Sequence, residues 1–389
     1  MAYPIITGRG LYLPADSLSN SDLASVIDPD RLAAWVARNE WSRRHLAELS
    51  AADRVATSVG ALERRVFADY VEQRIGIRTR RVVDRTAILE HRASSSGLFA
   101  SHLGARAAQR ALDAAGVGAD QVDVVICGTS SPDRVYPTTA IEIQDRIGAN
   151  RAHAYDLLAA CSSFVYGLEV ARALLTAVVA RRVLVVAAEY FTCGVDYRDP
   201  ESAFFWGDGA AAAVIEAPEL GRGKGGYEIV DTLCRSRLSD NIRTGLGGTR
   251  PLVADVALGN GKAAFVEPGS PAYRHFYQNG PAVYREVVPF VVQLTREILQ
   301  RNTCSTDEVR VFMFHQASRL ILDGIERRLL GSEGRRDRIA INLDRFGNTS
   351  SCSVGICLAE ECEMQQGEIA CMTAFGAGYT VGSALLRKV

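Results

Sequence analysis

Three residues, a cysteine, a histidine and an asparagine, stand far apart in this chain, each in the same kind of local setting. They are Cys161 in YDLLAACSS, His315 in FMFHQAS and Asn348 in DRFGNTSS. Each follows an apolar, strand-like run and precedes a helix-like one, which is where an open α/β sheet presents its chemistry. A thiol at a helix N-terminus gains from free backbone N–H groups and the positive dipole end, which favour thiolate. Cys161 is therefore a candidate acyl acceptor. A neutral imidazole and a carboxamide can both donate to one developing oxyanion, a set suited to an enolate beside a thioester carbonyl. Taken singly, each residue has a plainer role: a buried thiol, a structural histidine, a helix cap. Their joint occurrence points to one shared pocket. Such chemistry requires no metal and no redox cofactor.

Other motifs carry less. Cys352, Cys357 and Cys362 recur every five residues, which turns each thiol off the preceding one's helical face and favours core packing over metal ligation. The glycine clusters GRGKGG and FGAG lack the dinucleotide-binding spacing.

The elements that must position the three residues recur. AAQRALDAAGVGADQVDVVICGTSS and LTREILQRNTCSTDEVRVFMFHQAS both read as an amphipathic helix, an acidic turn and a buried strand, with Asp120 and Asp307 187 residues apart. Ala154–Ser163 and Ala340–Ser351 read alike as strand, tight turn and helix. WGDGAAAAVIE, from Trp206, echoes FGAGYTVGSALL, from Phe375. The shared order implies two similar βαβ-rich halves, 1–216 carrying the cysteine and 217–389 carrying histidine and asparagine. The division falls within the Gly- and Arg-rich stretch 217–270. Residues 29–67 fit neither half. With Trp35, Trp41, seven arginines and five acids, they read as two or three surface helices, more a solvated appendage than part of a site.

Composition sets outer bounds. With 389 residues the chain has ample length for a large core, and its net charge of −1 creates no global field for nucleic acid or an anionic membrane. Nine cysteines, several in apolar runs, and an N-terminus unlike a secretory signal point to a reducing, cytoplasmic setting. No run approaches the roughly 18 apolar residues that span a bilayer.

Together these motifs resemble the β-ketoacyl-acyl-carrier-protein synthase III family of the thiolase superfamily. The resemblance runs through GRGLYLP, RIGIRTR at 74–80, the Cys161 segment, FWGDGAAAAV, HQAS, DRFGNTSS and FGAGYTVGSALL. It implies a five-layered αβαβα fold, a homodimer, and a Cys161–His315–Asn348 triad. An acyl group would pass from coenzyme A to Cys161, with an oxyanion hole from the backbone N–H groups of Cys161 and Ala377. A malonyl-type thioester, delivered by an acyl carrier protein, would then lose carbon dioxide and condense with the acyl-enzyme. Coenzyme A enters as part of a substrate, not as a cofactor. Matching positions place Tyr70 where the family often stacks tryptophan on adenine, with Arg74 nearby. Tyr136 matches a residue that reaches across the dimer into the acyl pocket, and Phe375 is a further candidate to contact substrate. Leu320 replaces an arginine that binds the carrier protein, with Arg319 one position earlier. Fatty-acid initiation and specialised, polyketide-type metabolism both fit, and the insertion and Leu320 favour the latter or a longer acyl donor. Non-decarboxylating acyl transfer to a hydroxyl or amine, and a non-catalytic partner subunit of a heterodimer, are the alternatives.

Overall fold

The computed structural model describes residues 2–52, 57–243, 277–331, 336–360 and 364–389. TGLGGTRP, GNGK and Cys362 lie outside them. In chain order the strands are β1 (Ile5–Tyr12), β2 (Ser17–Ser19), β3 (Thr79–Arg81), β4 (Val124–Gly128), β5 (His153–Leu157), β6 (Arg182–Glu189) and β7 (Gly209–Glu216). They continue with β8 (Tyr227–Ser239), β9 (Ile242–Arg243), β10 (Tyr277–Gln278), β11 (Val309–Phe314), β12 (Ile369–Gly376) and β13 (Gly378–Lys388). Nine of these form one sheet in the order β11-β12-β13-β8-β1-β7-β6-β4-β5.

That order is a mirror about the β1–β8 pair. Outward from β1 the pairings run antiparallel, antiparallel and parallel to β4, and outward from β8 they run antiparallel, antiparallel and parallel to β11. On the first side β5 adds a further parallel strand; on the second, its counterpart is reduced to a single bridge between Phe312 and Ile339. The seam between the sides is short, with Ile5 opposite Glu228 and Ile6 opposite Tyr227. Beside it the chain end is tied down by reciprocal backbone bonds between Gly226 and Val389, both 3.1 Å.

Alternation along the buried strands generates the layers, because successive side chains point to opposite faces. Val124, Ile126, Val183 and Val185 face one core with Val311, Met313, Ala370 and Met372 from the other side. The Ser163–Thr176 and Ser353–Ala359 helices fill the space between, supplying Phe164, Leu168, Val354 and Ile356. Val125, Cys127, Leu184 and Val186 turn the other way onto the Ala100–Ala115 helix. Phe312 and Phe314 turn onto the Gly280–Arg301 and Arg319–Leu330 helices. Helix, one side of the sheet, helix pair, the other side of the sheet and helix give five layers, α on both outer faces.

Residues 29–67 depart from the solvated appendage that their composition suggests. They form helices Pro29–Arg38 and Glu40–Ala52 and most of Val59–Tyr70. Leu32, Trp35, Val36, Val66 and Phe67 are buried in the same core as Phe312 and Phe314. Trp35 meets Phe67 and Tyr70 edge-on at ring distances of 5.5 and 5.0 Å. The charged residues occupy the outer faces, which is what made the segment read as solvated.

Candidate active site

The elbow that carries Cys161 is built where β5 leaves the sheet. Ala160 takes a left-handed φ of +48°, and Ala160–Ser162 form one 3-10 turn before the Ser163–Thr176 helix begins. Neighbouring hydroxyls secure the turn. Ser163 Oγ accepts from the Ala159 N–H at 2.9 Å and donates to the Ala160 carbonyl at 2.7 Å. Ser162 and Thr380 hydroxyls, 2.8 Å apart, both reach the Ala159 carbonyl, at 2.7 and 2.8 Å. The turn from β12 to β13 presses on the same elbow. A β-carbon at Gly376 would lie 2.7 Å from the Cys161 nitrogen, so only glycine fits, and Ala377 follows directly.

A second elbow of the same kind carries the asparagine. Gly347 has φ +71°, and Ser350 has φ +49°, opening the 3-10 turn Ser350–Cys352 before the Ser353–Ala359 helix. Asn348 is pinned through its backbone, its N–H donating to Phe205 at 2.8 Å and its carbonyl accepting from Gly207 at 3.0 Å. Its side-chain Oδ1 accepts from the Ser350 N–H at 2.9 Å. With that oxygen engaged, the Nδ2 amino group is the end left for another partner. Beneath the turn, fully buried Arg80, from the RIGIRTR run, donates to the carbonyls of Leu18 and Phe204 and to Asn20 Oδ1. Burial lowers its pKa to about 10.

His315 follows β11, but the helix expected directly after it starts only at Arg319, capped by Ser318. The ring is 1% exposed, and Nδ1 lies 2.7 Å from Ser353 Oγ. That hydroxyl oxygen also accepts from the Gln316 N–H at 3.4 Å, and in the tautomer in which it donates to Nδ1 the ring proton sits on Nε2. Phe375 packs edge-on against the imidazole, with centroids 4.9 Å apart and planes at 75°. In that tautomer histidine and asparagine both present a nitrogen donor.

The three motifs converge through their neighbours. Ser350 bonds Asn348 through its N–H and approaches Cys161 Sγ with its hydroxyl at 3.4 Å. Phe375 touches His315, and Gly376, next in the chain, abuts the Cys161 nitrogen. Burial dominates the electrostatics of the site. Burial pushes the Cys161 thiol up to about 12, a hydrogen bond from Ser350 pulling the other way and the Glu189 charge adding to the rise. Burial also lowers His315 to about 3, so the resting pair is thiol and neutral imidazole.

The other candidate residues lie farther out. Tyr70 is half-buried among Trp35, Trp41 and Phe204, with Arg74 exposed on the following turn, Val71–Ile75. Tyr136 is 81% exposed on a surface loop, and the chain by itself does not bring it to Cys161. Arg319 pairs with Asp323 at 2.7 Å, whereas Leu320 is exposed. Glu189, Ser350, Ser353 and Thr380 escaped the sequence reading. Ser350 lies inside the GNTSS motif, and Glu189 is a lone acid closing the apolar run VLVVAA, the one local signal each gives.

Comparison with known proteins agrees with this architecture. The family model "3-Oxoacyl-[acyl-carrier-protein (ACP)] synthase III" matches residues 155–237, and its C-terminal counterpart matches 299–388. A β-ketoacyl-[acyl-carrier-protein] synthase III of Roseiflexus sp. strain RS-1 is 36% identical over 308 residues, covering 78% of this chain and 88% of its own. A β-ketodecanoyl-[acyl-carrier-protein] synthase of Pseudomonas aeruginosa is 32% identical over 82% of this chain and 90% of its own. The crystal structure of the priming β-ketosynthase from the R1128 polyketide biosynthetic pathway superposes with a TM-score of 0.74 at 25% identity, covering 99% of this chain and 96% of that one. The chain belongs to the 3-oxoacyl-[acyl-carrier-protein] synthase III family of acyltransferase-type condensing enzymes.

Proposed function

We propose that Cys161, His315 and Asn348 carry out acyl transfer followed by decarboxylative condensation. The supporting observation is the convergence of their three turns, with an imidazole N–H and an amide NH₂ as the donors and a thiol as the nucleophile. In the first stage the Cys161 sulfur attacks an acyl thioester. A carbon–sulfur bond forms to Cys161, the bond to coenzyme A breaks, and the thiol proton leaves with the departing coenzyme A. The N–H groups of Cys161 and Ala377 serve the transient oxyanion. In the second stage a malonyl-type thioester loses carbon dioxide. Nε2–H of His315 and Nδ2–H of Asn348 hold the enolate oxygen, worth about 10²–10³ in rate per donor. The enolate carbon attacks the acyl carbonyl, the new carbon–carbon bond forms, and Cys161 leaves as a thiolate that takes up a proton from water. Both stages run on thioesters alone.

The halves divide in this reading at 216/217, between β7 and β8. The exposed side chains of Val135, Tyr136 and Leu158 support a face for a second copy, through which Tyr136 bounds the partner's acyl pocket. Tyr70 and Arg74 lie on the donor's route, Phe375 supports the imidazole wall, and an acyl carrier protein delivers the extender. Among the described residues no helix is long and apolar enough to cross a membrane. The many cysteines in apolar runs support a reducing, cytoplasmic setting for the reaction. The similarity to a β-ketodecanoyl synthase and a polyketide priming enzyme favours donors beyond acetyl.

The test is the intact-protein mass after incubation with acyl-coenzyme A donors from two to twelve carbons. Wild type is expected to gain one acyl mass, Cys161→Ala none, and malonyl thioester then to discharge the adduct as product. A Cys161→Ala chain that still gains the adduct overturns the assignment.

A further inference from the structure

Ser350 is fully buried and holds a left-handed backbone that glycine would adopt more easily. From this one residue two bonds diverge to the centre. Its N–H donates to Asn348 Oδ1 at 2.9 Å, and its hydroxyl points at Cys161 Sγ at 3.4 Å. We propose that Ser350 is a further catalytic residue, its hydroxyl stabilising the Cys161 thiolate in acyl transfer while its N–H keeps Asn348 turned to donate. This rests on Cys161 being the acyl acceptor.

The physical need for such a donor comes from the surroundings. Negative charge appears on Sγ twice, as the thiol attacks and again as the acyl–sulfur bond breaks. His315 is neutral there, its Nδ1 committed to Ser353, so it supplies no cation. The acidic group that acts on the thiol is Glu189, at the end of β6, fully buried and of the same sign as a thiolate. Its oxygens collect the Ser131 and Ser351 hydroxyls at 2.6 Å each, the Ser130 N–H at 3.1 Å and the Ser351 N–H at 3.3 Å, and the Ser350 hydroxyl reaches it as well as the sulfur. Burial raises the Glu189 pKa against the pull of these donors, and the donors anchor Ser351, which fixes the turn from which Ser350 reaches the sulfur. Ser350 keeps its hydroxyl hydrogen throughout; the proton lost by Cys161 still leaves on coenzyme A.

The full chain carrying Ser350→Ala or Ser350→Gly removes the hydroxyl and keeps the N–H, and the glycine variant also relieves the backbone. Three probes are compared with wild type: iodoacetamide alkylation of Cys161 from pH 7 to 9.5, acyl-adduct formation from the donor that loads wild type, and malonyl-coenzyme A decarboxylation without donor. Both variants are expected to alkylate and acylate about tenfold more slowly, the alkylation profile displaced about one pH unit upward. Decarboxylation is expected to fall by a clearly smaller factor. Alkylation and acylation indistinguishable from wild type, or all three activities falling together, overturn the inference while leaving Cys161 as acceptor. A wild type that takes no acyl group from any donor overturns the parent reading itself.

Discussion

At the scale of single residues, the centre works through donors whose direction is set by bonds behind them. Ser353 engages Nδ1 of His315, and Ser350 settles which end of the Asn348 amide is free. The imidazole pKa of about 3 has two consequences. The ring stays a neutral donor through the physiological range, so malonyl decarboxylation is expected to show no acid limb near pH 6.5. A limb there would mean that His315 titrates and acts as imidazolium. The second consequence concerns stability. The folded pKa is depressed below the unfolded value of 6.5, so the unfolded chain binds the proton first as pH falls. The stability tied to neutral His315 is present above pH 6.5 and is lost from there towards pH 3. His315→Asn is therefore expected to lose less Tm between pH 7 and 4 than wild type, as scanning calorimetry would register.

At the scale of elements, two elbows with matching backbones deliver the chemistry, Ala160 at φ +48° and Ser350 at φ +49° each opening a 3-10 turn before a central helix. The first was legible as strand, turn and helix, because apolar runs and small residues at tight turns are local signals; before the second, the expected strand is only the Phe312–Ile339 bridge and the short helix Leu343–Phe346. What crosses between the elbows was not legible. The Ser350 hydroxyl finds Cys161 only because two segments 189 residues apart meet, and nothing in GNTSS states which way that hydroxyl points. Glu189 stayed silent for the same reason, since its donors come from the loop after β4 and from the second elbow. Desolvation of Cys161 is likewise a property of the packed site, invisible to a motif. The insertion misled in another way: its surface charges outnumber its buried anchors. Trp35, 6% exposed against Phe67 and Tyr70, is one such anchor. Trp35→Ala is expected to cost about 3–5 kcal/mol in denaturant unfolding. A loss below about 1 kcal/mol would restore the appendage reading.

At the scale of the whole molecule, the same strand order is used twice and mirrored about one short seam. Symmetry of backbone has not kept symmetry of chemistry. Where the first elbow places Cys161, the second places Ser351, whose hydroxyl is spent on Glu189 and the Gly128 carbonyl. In the proposed reaction one half therefore supplies the nucleophile, and the other supplies the donors and the brace beneath it. The seam also gathers three stretches of chain: β1, the connection at 217–226 that leads into β8, and Val389 bonded back to Gly226. Each half ends close to where it starts, so the peptide link between them carries little positional information. Separate polypeptides 1–221 and 222–389, expressed together, are expected to co-purify and regain acyl loading; recovery of only unfolded fragments would refute this. The gene is then divisible at that point, and linear order becomes a matter of convenience: what must be inherited together is the pair of surfaces, not the bond that joins them.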